Sequence, residues 1–176
     1  MSLSAVPPVD PGRDHLRGSE DPVYELLLYG DYECPYTRRA MGFVTRLERR
    51  YGDELRFAYR HFPLPDYHSH AEHAAQAAES AGAQGDFWVL HDRLFAHPEA
   101  LTDHDLADHA RAVGLDPDAV TRDLEAGTQA ERVRVDSAGA LAAGIRGTPS
   151  FVIGGELHQG FYDLETLSEA LEYHAR

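Results

Sequence analysis

One stretch decides how this chain folds: Tyr29-Gly-Asp-Tyr-Glu-Cys34-Pro-Tyr-Thr37, which contains the only cysteine. It follows Val23-Tyr-Glu-Leu-Leu-Leu-Tyr29, a short apolar run that predicts a buried strand. Pro35 suits the first turn of a helix, where a missing N–H costs nothing, and apolar residues then recur with helical spacing to about Tyr51. The sequence therefore predicts a strand, a tight connection and a helix, with Cys34 where the helix starts.

Cys34 is expected to be reactive because of this position. Backbone N–H groups and the positive end of the helix dipole favour an anion at a helix start, so we expect a partly or largely thiolate sulfur at the helix tip, outside the core. The neighbouring charge of Glu33 opposes this, but an exposed charge is screened by solvent. Thr37 can either reach the sulfur with its hydroxyl or bond back to its own helix. The alternative is a buried cysteine that acts as a small apolar side chain.

Composition narrows the range of partners. The chain has 176 residues, 43% hydrophobic and 26% charged, which is ordinary for one globular domain with an insertion. Its net charge of −14 argues against nucleic acid and anionic membrane surfaces as partners. No apolar run is long enough for membrane insertion, and the oligomeric state is left open.

The N-terminal residues 1–21 are polar, rich in Pro and Gly, and lack the apolar core of a signal peptide. We therefore expect a flexible lead-in and a cytoplasmic protein, unless a leader has been removed. One cysteine cannot build an internal disulfide framework, which agrees with that compartment.

The order of predicted elements is β-α-β, a helical insertion, then β-β-α. Leu55–Phe62 alternates as a strand does, and Pro63 ends it. Together these patterns predict an α/β fold with a mixed central sheet and an inserted all-helical subdomain. The predicted parts are 22–65 for the first half of the fold, 66–145 for the helical insertion and 146–176 for the second half. The predicted helices of the insertion are 70–81, 86–96, 102–113, 116–126 and about 129–143.

A proline opens the strand that follows the insertion, in Gly147-Thr148-Pro149-Ser150-Phe-Val-Ile153. Proline lacks the donor that a strand ladder needs, so its place in a core strand requires an explanation. One explanation is a cis peptide in a tight bend, and the other is a trans proline at the first residue of the strand. The residues alone leave both open.

Several motifs together resemble the DsbA-like thioredoxin-fold family of thiol–disulfide oxidoreductases. They are Gly-Asp-Tyr-Glu-Cys34-Pro-Tyr, Arg60-His-Phe-Pro-Leu64, His70-Ala-Glu-His-Ala-Ala, Gly85-Asp-Phe-Trp and Gly147-Thr-Pro. The resemblance covers nearly the whole chain from about Asp21. It implies a thioredoxin fold, with Pro149 as the cis-proline across from the sulfur. It also implies that the backbone of Thr148 meets a bound polypeptide as a strand partner, with Pro35 and Tyr36 as further substrate contacts.

The chain departs from the family at one position. The family usually has Cys-x-x-Cys, and here Thr37 takes the place of the second cysteine. Cys34 can therefore form a mixed disulfide with protein or small-molecule thiols but cannot resolve it within the chain. We expect catalysis by Cys34 with Thr37 and Pro149, no resident cofactor, and an external thiol such as glutathione or another low-molecular-weight thiol as co-substrate.

Two other functions remain open on this fold. A redox-inactive peptide-binding or chaperone module would keep the client groove, for which Tyr32, Tyr36 and Phe161 are the apolar candidates. A glutathione-dependent isomerase or transferase would also need no second cysteine.

The histidines invite a metal site. His68, His70 and His73 are closely spaced beside Glu72 but lack the His-Glu-x-x-His arrangement, so we expect no metal there. His91 and His109 are expected on the polar or surface side of their helices, and His61 cannot be placed.

Overall fold

The computed structural model describes residues 5–175; Met1–Ser4 and Arg176 lie outside the described residues. Its strands are β1 (His15–Gly18), β2 (Tyr24–Gly30), β3 (Leu55–His61), β4 (Ser150–Ile153) and β5 (Glu156–Leu157). Its α-helices are α1 (Pro35–Tyr51), α2 (Ala71–Ala83), α3 (Phe87–Ala96), α4 (Asp103–Ala112), α5 (Pro117–Ala126), α6 (Ala130–Ala142) and α7 (Leu164–His174). From β2 onward the predicted order of strands and α-helices is confirmed, with bounds that differ by a few residues.

The strands form one sheet in the order β1-β3-β2-β4-β5. The pairs β1–β3, β2–β4 and β4–β5 are antiparallel, and α1 connects the neighbours β2 and β3. Strand β1 lies within the segment 1–21, where the sequence predicted no strand. It is four residues long, half-exposed and at the edge of the sheet, so it has no apolar alternation to reveal it.

Contacts divide the chain into two compact units. Among the described residues, the sheet unit comprises 5–30, 35–60 and 138–175, and the helical unit comprises 31–34 and 61–137. The long segment of the helical unit thus runs from His61 to Ser137, whereas the sequence placed the insertion at 66–145. The few residues 31–34 carry Cys34.

The core of the sheet unit follows from its apolar patterns. Leu26, Leu27 and Leu28 are consecutive in β2 and all buried, so both faces of this central strand are covered. Helix α1 buries Val44 and Leu47 on one face, at helical spacing, and exposes its arginines on the other. This arrangement fixes the helix that begins directly after Cys34.

The helical unit is built on small side chains. Buried alanines line α2, and their size lets α3 and α5 pack closely against it. Local capping residues define the ends of two of its helices. Thr102 and Asp105 form a capping box at α4, Asp116 caps α5 before Pro117, and Gly127 ends α5 in the left-handed conformation at φ 63°.

Within the described residues, no helix is both long and apolar enough to cross a membrane.

Arg60 anchors the N-terminal segment inside the sheet unit. Its guanidinium donates to both carboxylate oxygens of Asp14, at 2.9 and 2.7 Å, and to the carbonyls of Pro7 and Pro8 and the hydroxyl of Tyr29. Arg60 is 1% exposed and Asp14 8%. Burial alone would raise the pKa of Asp14, but hydrogen bonds from Arg60 and from the N–H of Asp10, with the charge of Arg60, hold that pKa below its ordinary value.

We expect Asp14→Asn to cost about 3–5 kcal/mol of unfolding free energy near neutral pH, because Arg60 loses its buried counter-charge. The pKa of folded Asp14 lies below the unfolded value of about 3.9. Its stabilisation is therefore complete above that unfolded value and is lost as pH falls through the folded-state pKa. Urea unfolding at pH 7 and pH 3 should show a difference between parent and variant that shrinks at pH 3.

The matched control is Glu131→Gln, which breaks an exposed pair with Arg134 and should change stability far less. Combining Asp14→Leu with Arg60→Met should recover part of the loss, because both charges leave the core together. Equal losses for Asp14→Asn and Glu131→Gln would contradict the assignment of Arg60 as an anchor.

Candidate active site

The carboxylate of Asp31 is the hub of the loop before α1. Its Oδ1 accepts hydrogen bonds from the backbone N–H groups of Glu33, at 2.8 Å, and Cys34, at 3.2 Å. Its Oδ2 accepts from the backbone N–H of Leu64 at 3.0 Å and lies 2.8 Å from Nδ1 of His68. Asp31 is 1% exposed, and a carboxylate buried to that degree needs such partners.

Glu33 makes a second connection within the helical unit. Its Oε2 accepts a hydrogen bond from the backbone N–H of His70 at 2.7 Å, at the N-cap of α2. That N–H belongs to a helix start, where donors lack partners within the helix. Two carboxylates thus hold residues 31–34, the Cys34 loop, to residues 64–70, the anchor segment.

Cys34 directly precedes Pro35, the first residue of α1, as the sequence predicts. Its own backbone N–H is engaged by Asp31, both by the carboxylate and by the main-chain carbonyl at 3.2 Å. The residue is 4% exposed, so the sulfur is less accessible than the sequence led us to expect.

The first turn of α1 carries the other predicted residues near the sulfur in sequence. Pro35 and Tyr36 are exposed, Tyr36 by 64%, whereas Thr37 is fully buried in the sheet unit. A Cβ added to Gly30 would lie 2.8 Å from Cγ2 of Thr37 and 2.7 Å from the ring and hydroxyl of Tyr59. Glycine at position 30 is therefore what lets β2 end against Thr37.

The Thr148–Pro149 peptide bond is cis. In the antiparallel register of β2 and β4, Tyr29 pairs with Ser150. Gly30 follows Tyr29 and Pro149 precedes Ser150, so these two residues come next at that end of the strand pair. The sheet unit thereby brings Pro149 to the same end of β2 as Thr37. The catalytic roles of Thr37 and Pro149, and the binding role of Thr148, stay predictions.

One of the three residues predicted to line an exposed apolar groove, Tyr32, is wrong. Tyr32 is 1% exposed, and its hydroxyl lies 2.8 Å from Nδ1 of His91 while its ring packs on Phe95. Tyr32 therefore belongs to the core of the helical unit. Phe161 is 72% exposed, and so is Tyr67, by 82%, which the sequence analysis did not single out and which projects from the anchor segment.

Two of the histidine assignments are also wrong. His91 is fully buried against Tyr32, and His109 is 6% exposed, with Nδ1 accepting from Nε of Arg93 and Nε2 bonding the carbonyl of Ala100. Helical periodicity predicts that a polar residue faces solvent, but a polar side chain can be buried when another element supplies its hydrogen-bond partner. The local sequence does not identify these hydrogen-bond partners, because they lie on other elements.

The histidines that were weighed as metal ligands have other contacts. His68 meets Asp31, His70 caps α2 without a side-chain bond, and Nδ1 of His73 lies 2.6 Å from Oδ1 of Asp103. Each contact belongs to a different part of the helical unit. We assign no metal to this group.

A different cluster has side chains of the types that bind cations: His61, Glu79 and Asp136 are all buried, with ligand atoms within 4.8 Å of one another. Nε2 of His61 lies 2.8 Å from Glu79, and its backbone N–H donates to Asp136 at 3.0 Å. Arg132 already supplies positive charge, at 2.6 Å from Asp136 and 3.8 Å from Glu79. A metal would have to displace that guanidinium, so we interpret the cluster as a structural network of ion pairs and hydrogen bonds.

Sequence reasoning missed this cluster and also Asp31. Nothing in the spacing of His61, Glu79 and Asp136 connects them, because three separate elements carry them. Asp31 had a local signal: an aspartate two and three residues before N–H groups at a helix start is a common capping arrangement.

Over residues 25–172 the sequence matches the family described as the DSBA-like thioredoxin domain. A thioredoxin-like oxidoreductase from Silicibacter pomeroyi DSS-3 has a TM-score of 0.82 at 31% identity, over 93% of this chain and 92% of that one. Oxidised BdbD from Bacillus subtilis has a TM-score of 0.84 at 20% identity, with 99% of each chain covered. The predicted thioredoxin fold with a mixed sheet and a helical insertion is confirmed, as is the predicted family resemblance.

A longer protein is also similar. The Na(+)/H(+) antiporter NhaA 1 of Mycobacterium sp. (strain KMS) is 40% identical over 174 residues, which are 98% of this chain and 28% of that protein. The chain thus spans little more than a quarter of that relative's length.

We expect Gly30→Ala to destabilise the protein by about 1–3 kcal/mol, because the new methyl group meets Thr37 and Tyr59 in a packed core. It should also change the alkylation rate of Cys34 by pushing on the first turn of α1. Urea unfolding and iodoacetamide labelling measure the two effects.

Gly42→Ala is the matched control, because a Cβ there has nothing within 4 Å and the residue lies on the exposed side of α1. Removing a glycine from a helix interior should stabilise the protein by about 0.5–1 kcal/mol. Equal stability of Gly30→Ala and the parent would show that β2 does not end against Thr37 as described.

Proposed function

The chain belongs to the DSBA-like thioredoxin domain family, a family of thiol–disulfide oxidoreductases, and from this premise we propose that it exchanges disulfides through Cys34 alone. One observation carries the proposal: the single cysteine directly precedes α1 of a thioredoxin fold, with Thr37 where the family usually has its second cysteine. A site with one sulfur can begin exchange but cannot complete it without another thiol.

The exchange has two steps. The Cys34 thiolate attacks one sulfur of a disulfide R–S–S–R′; a Cys34–S–S–R bond forms, the original S–S bond breaks, and R′–S⁻ leaves with the electron pair. An external thiolate R″–S⁻ then attacks the sulfur of R, giving R–S–S–R″ and returning the Cys34 thiolate. The bonds made and broken balance, so neither step needs an added oxidant or a resident cofactor.

Residues near Cys34 take supporting roles in this proposal. The N–H groups of the first turn of α1 would stabilise the thiolate. Thr37 would donate its hydroxyl to the sulfur, and Pro149 would face it. The backbone of Thr148 would pair with an extended client segment, while Pro35 and Tyr36 would contact that segment from the helix. Support comes from the position of Pro149 beside Gly30 in the register and from the exposure of Tyr36.

A second function is favoured by one observation, the low exposure of Cys34. A peptide-binding module without redox turnover would need its groove but not its sulfur. In that case Cys34→Ser would bind clients as tightly as the parent, and the parent would not react with a small disulfide. A glutathione-dependent isomerase or transferase would instead bind the reduced tripeptide tightly.

Sodium–proton exchange is named for the longer relatives, and this chain matches little more than a quarter of the one described above. The proposal for this chain therefore rests on the DsbA-like part alone.

With excess 2-hydroxyethyl disulfide we expect one adduct per chain, located on Cys34 and persistent after the reagent is removed. Thr37→Cys should shorten the adduct lifetime at least about tenfold, because an internal thiol then displaces the bound group. Intact-mass spectrometry against time after desalting measures both quantities.

Thr45→Cys is the matched control, since it adds a thiol to an exposed position of the same helix about 12 Å farther along. It should leave the adduct lifetime unchanged. Absence of any adduct in the parent, under conditions where urea-unfolded protein is fully labelled, would reject the exchange function and favour the binding module.

A further inference from the structure

We propose that the Cys34 site selects neutral or cationic disulfides and rejects anionic ones, because two anchored carboxylates, Asp31 and Glu33, lie beside the sulfur. The inference rests on the proposed exchange function and names its substrate class. It also predicts that an anionic thiol such as glutathione is a poor co-substrate.

Asp31 cannot move away from the sulfur. Its Oδ1 is 3.2 Å from the backbone nitrogen of Cys34, and the sulfur, three bonds from that nitrogen, lies within about 4 Å of it in any rotamer. The carboxylate oxygen is therefore within about 7 Å of the sulfur, less than the Debye length of about 8 Å at physiological ionic strength. Because Asp31 is buried, its charge is screened little by salt.

Glu33 adds a second fixed charge. It is the residue directly before Cys34, and an unconstrained glutamate there would swing into solvent. Instead its Oε2 accepts the N–H of His70 at 2.7 Å, which holds the carboxylate on the anchor segment. Both carboxylates thus keep their positions while a second sulfur approaches.

The wider field has the same sign. The helical unit, which contains the Cys34 loop, has 17 acidic residues and 5 arginines, so it carries −12 of the chain's −14. A field of one sign raises the local concentration of oppositely charged reactants.

Three groups oppose the effect. Arg38 and Arg39 follow Cys34 closely but are exposed, so solvent and salt screen them more than they screen a buried carboxylate. Nδ1 of His68 lies 2.8 Å from Asp31 and offsets its charge when the ring is protonated. The buried carboxylate of Asp31 is the charge near the sulfur that solvent screens least.

The reaction itself determines how this selection operates. The Cys34 thiolate attacks the incoming disulfide, a Cys34–S–S–R bond forms, and R–S⁻ leaves. An anionic R group must approach the two carboxylates both as reactant and as bound adduct. A cationic R group is attracted at both stages.

The test compares rate constants for adduct formation on Cys34 with cystamine, 2-hydroxyethyl disulfide and 3,3′-dithiodipropionate, at pH 8 and low salt. Each rate is divided by the rate of the same reagent with N-acetylcysteinamide, which removes intrinsic differences between the disulfides. We expect the normalised rate constant to be highest for the cationic disulfide, lower for the neutral one and lowest for the anionic one. The span, which is the ratio of the highest to the lowest value, should be at least about tenfold.

Glu33→Gln should narrow that span about threefold, because the amide oxygen can still accept the N–H of His70 while the charge is gone. Asp31→Asn should narrow it in the same direction and serves as a second variant if either one folds poorly. Glu125→Gln removes an equal charge from an exposed position of α5 and should leave the span unchanged.

The outcomes separate the two proposals. Equal normalised rates, a faster anionic reagent, or a span that neither Glu33→Gln nor Asp31→Asn narrows would overturn the selectivity while leaving the exchange function intact. If none of the three disulfides forms an adduct, the exchange function itself fails.

Discussion

The position of Cys34 depends on one buried carboxylate. Asp31 joins the Cys34 loop to the anchor segment, although more than thirty residues separate them in sequence. A carboxylate is costly to bury without donors, and here three backbone N–H groups and an imidazole supply them. The loop is consequently held from the helical unit, while the helix that follows Cys34 belongs to the sheet unit. Along the sequence, Cys34 is thus the last residue of its segment in the helical unit, and Pro35 is the first of the next segment in the sheet unit.

Two opposite electrostatic effects act at the Cys34 sulfur. The start of α1 favours a negative charge, whereas the carboxylates of Asp31 and Glu33 oppose one. Asp31 also accepts the backbone N–H of Cys34, and Glu33 accepts that of His70. In the proposed exchange, position would favour reactivity of Cys34 and charge would select the reactant. Thr37 stands where the family usually has its second cysteine, so the proposed exchange would depend on a thiol from outside the chain.

Buried ionic groups recur in both units, and each is paired within its own unit. Arg60 binds Asp14 and the carbonyls of Pro7 and Pro8, and Arg132 forms ion pairs with Glu79 and Asp136. In these networks, ion pairs and further hydrogen bonds offset the cost of removing the charged groups from water. They also hold particular segments in place, as Arg60 does for the N-terminal segment at Pro7 and Pro8.

The sequence by itself determined the order and type of nearly all elements and the location of Cys34 before a helix, because apolar periodicity, prolines and caps are local signals. It did not reveal β1, which is short and half-exposed, or that Tyr32, His91 and His109 are buried, because a polar side chain becomes a core residue only when a distant partner satisfies it. Only the tertiary structure decided that Asp31 holds the Cys34 loop and that His61, Glu79 and Asp136 meet. Such contacts depend on the three-dimensional positions of separate elements, and no spacing along the chain encodes them.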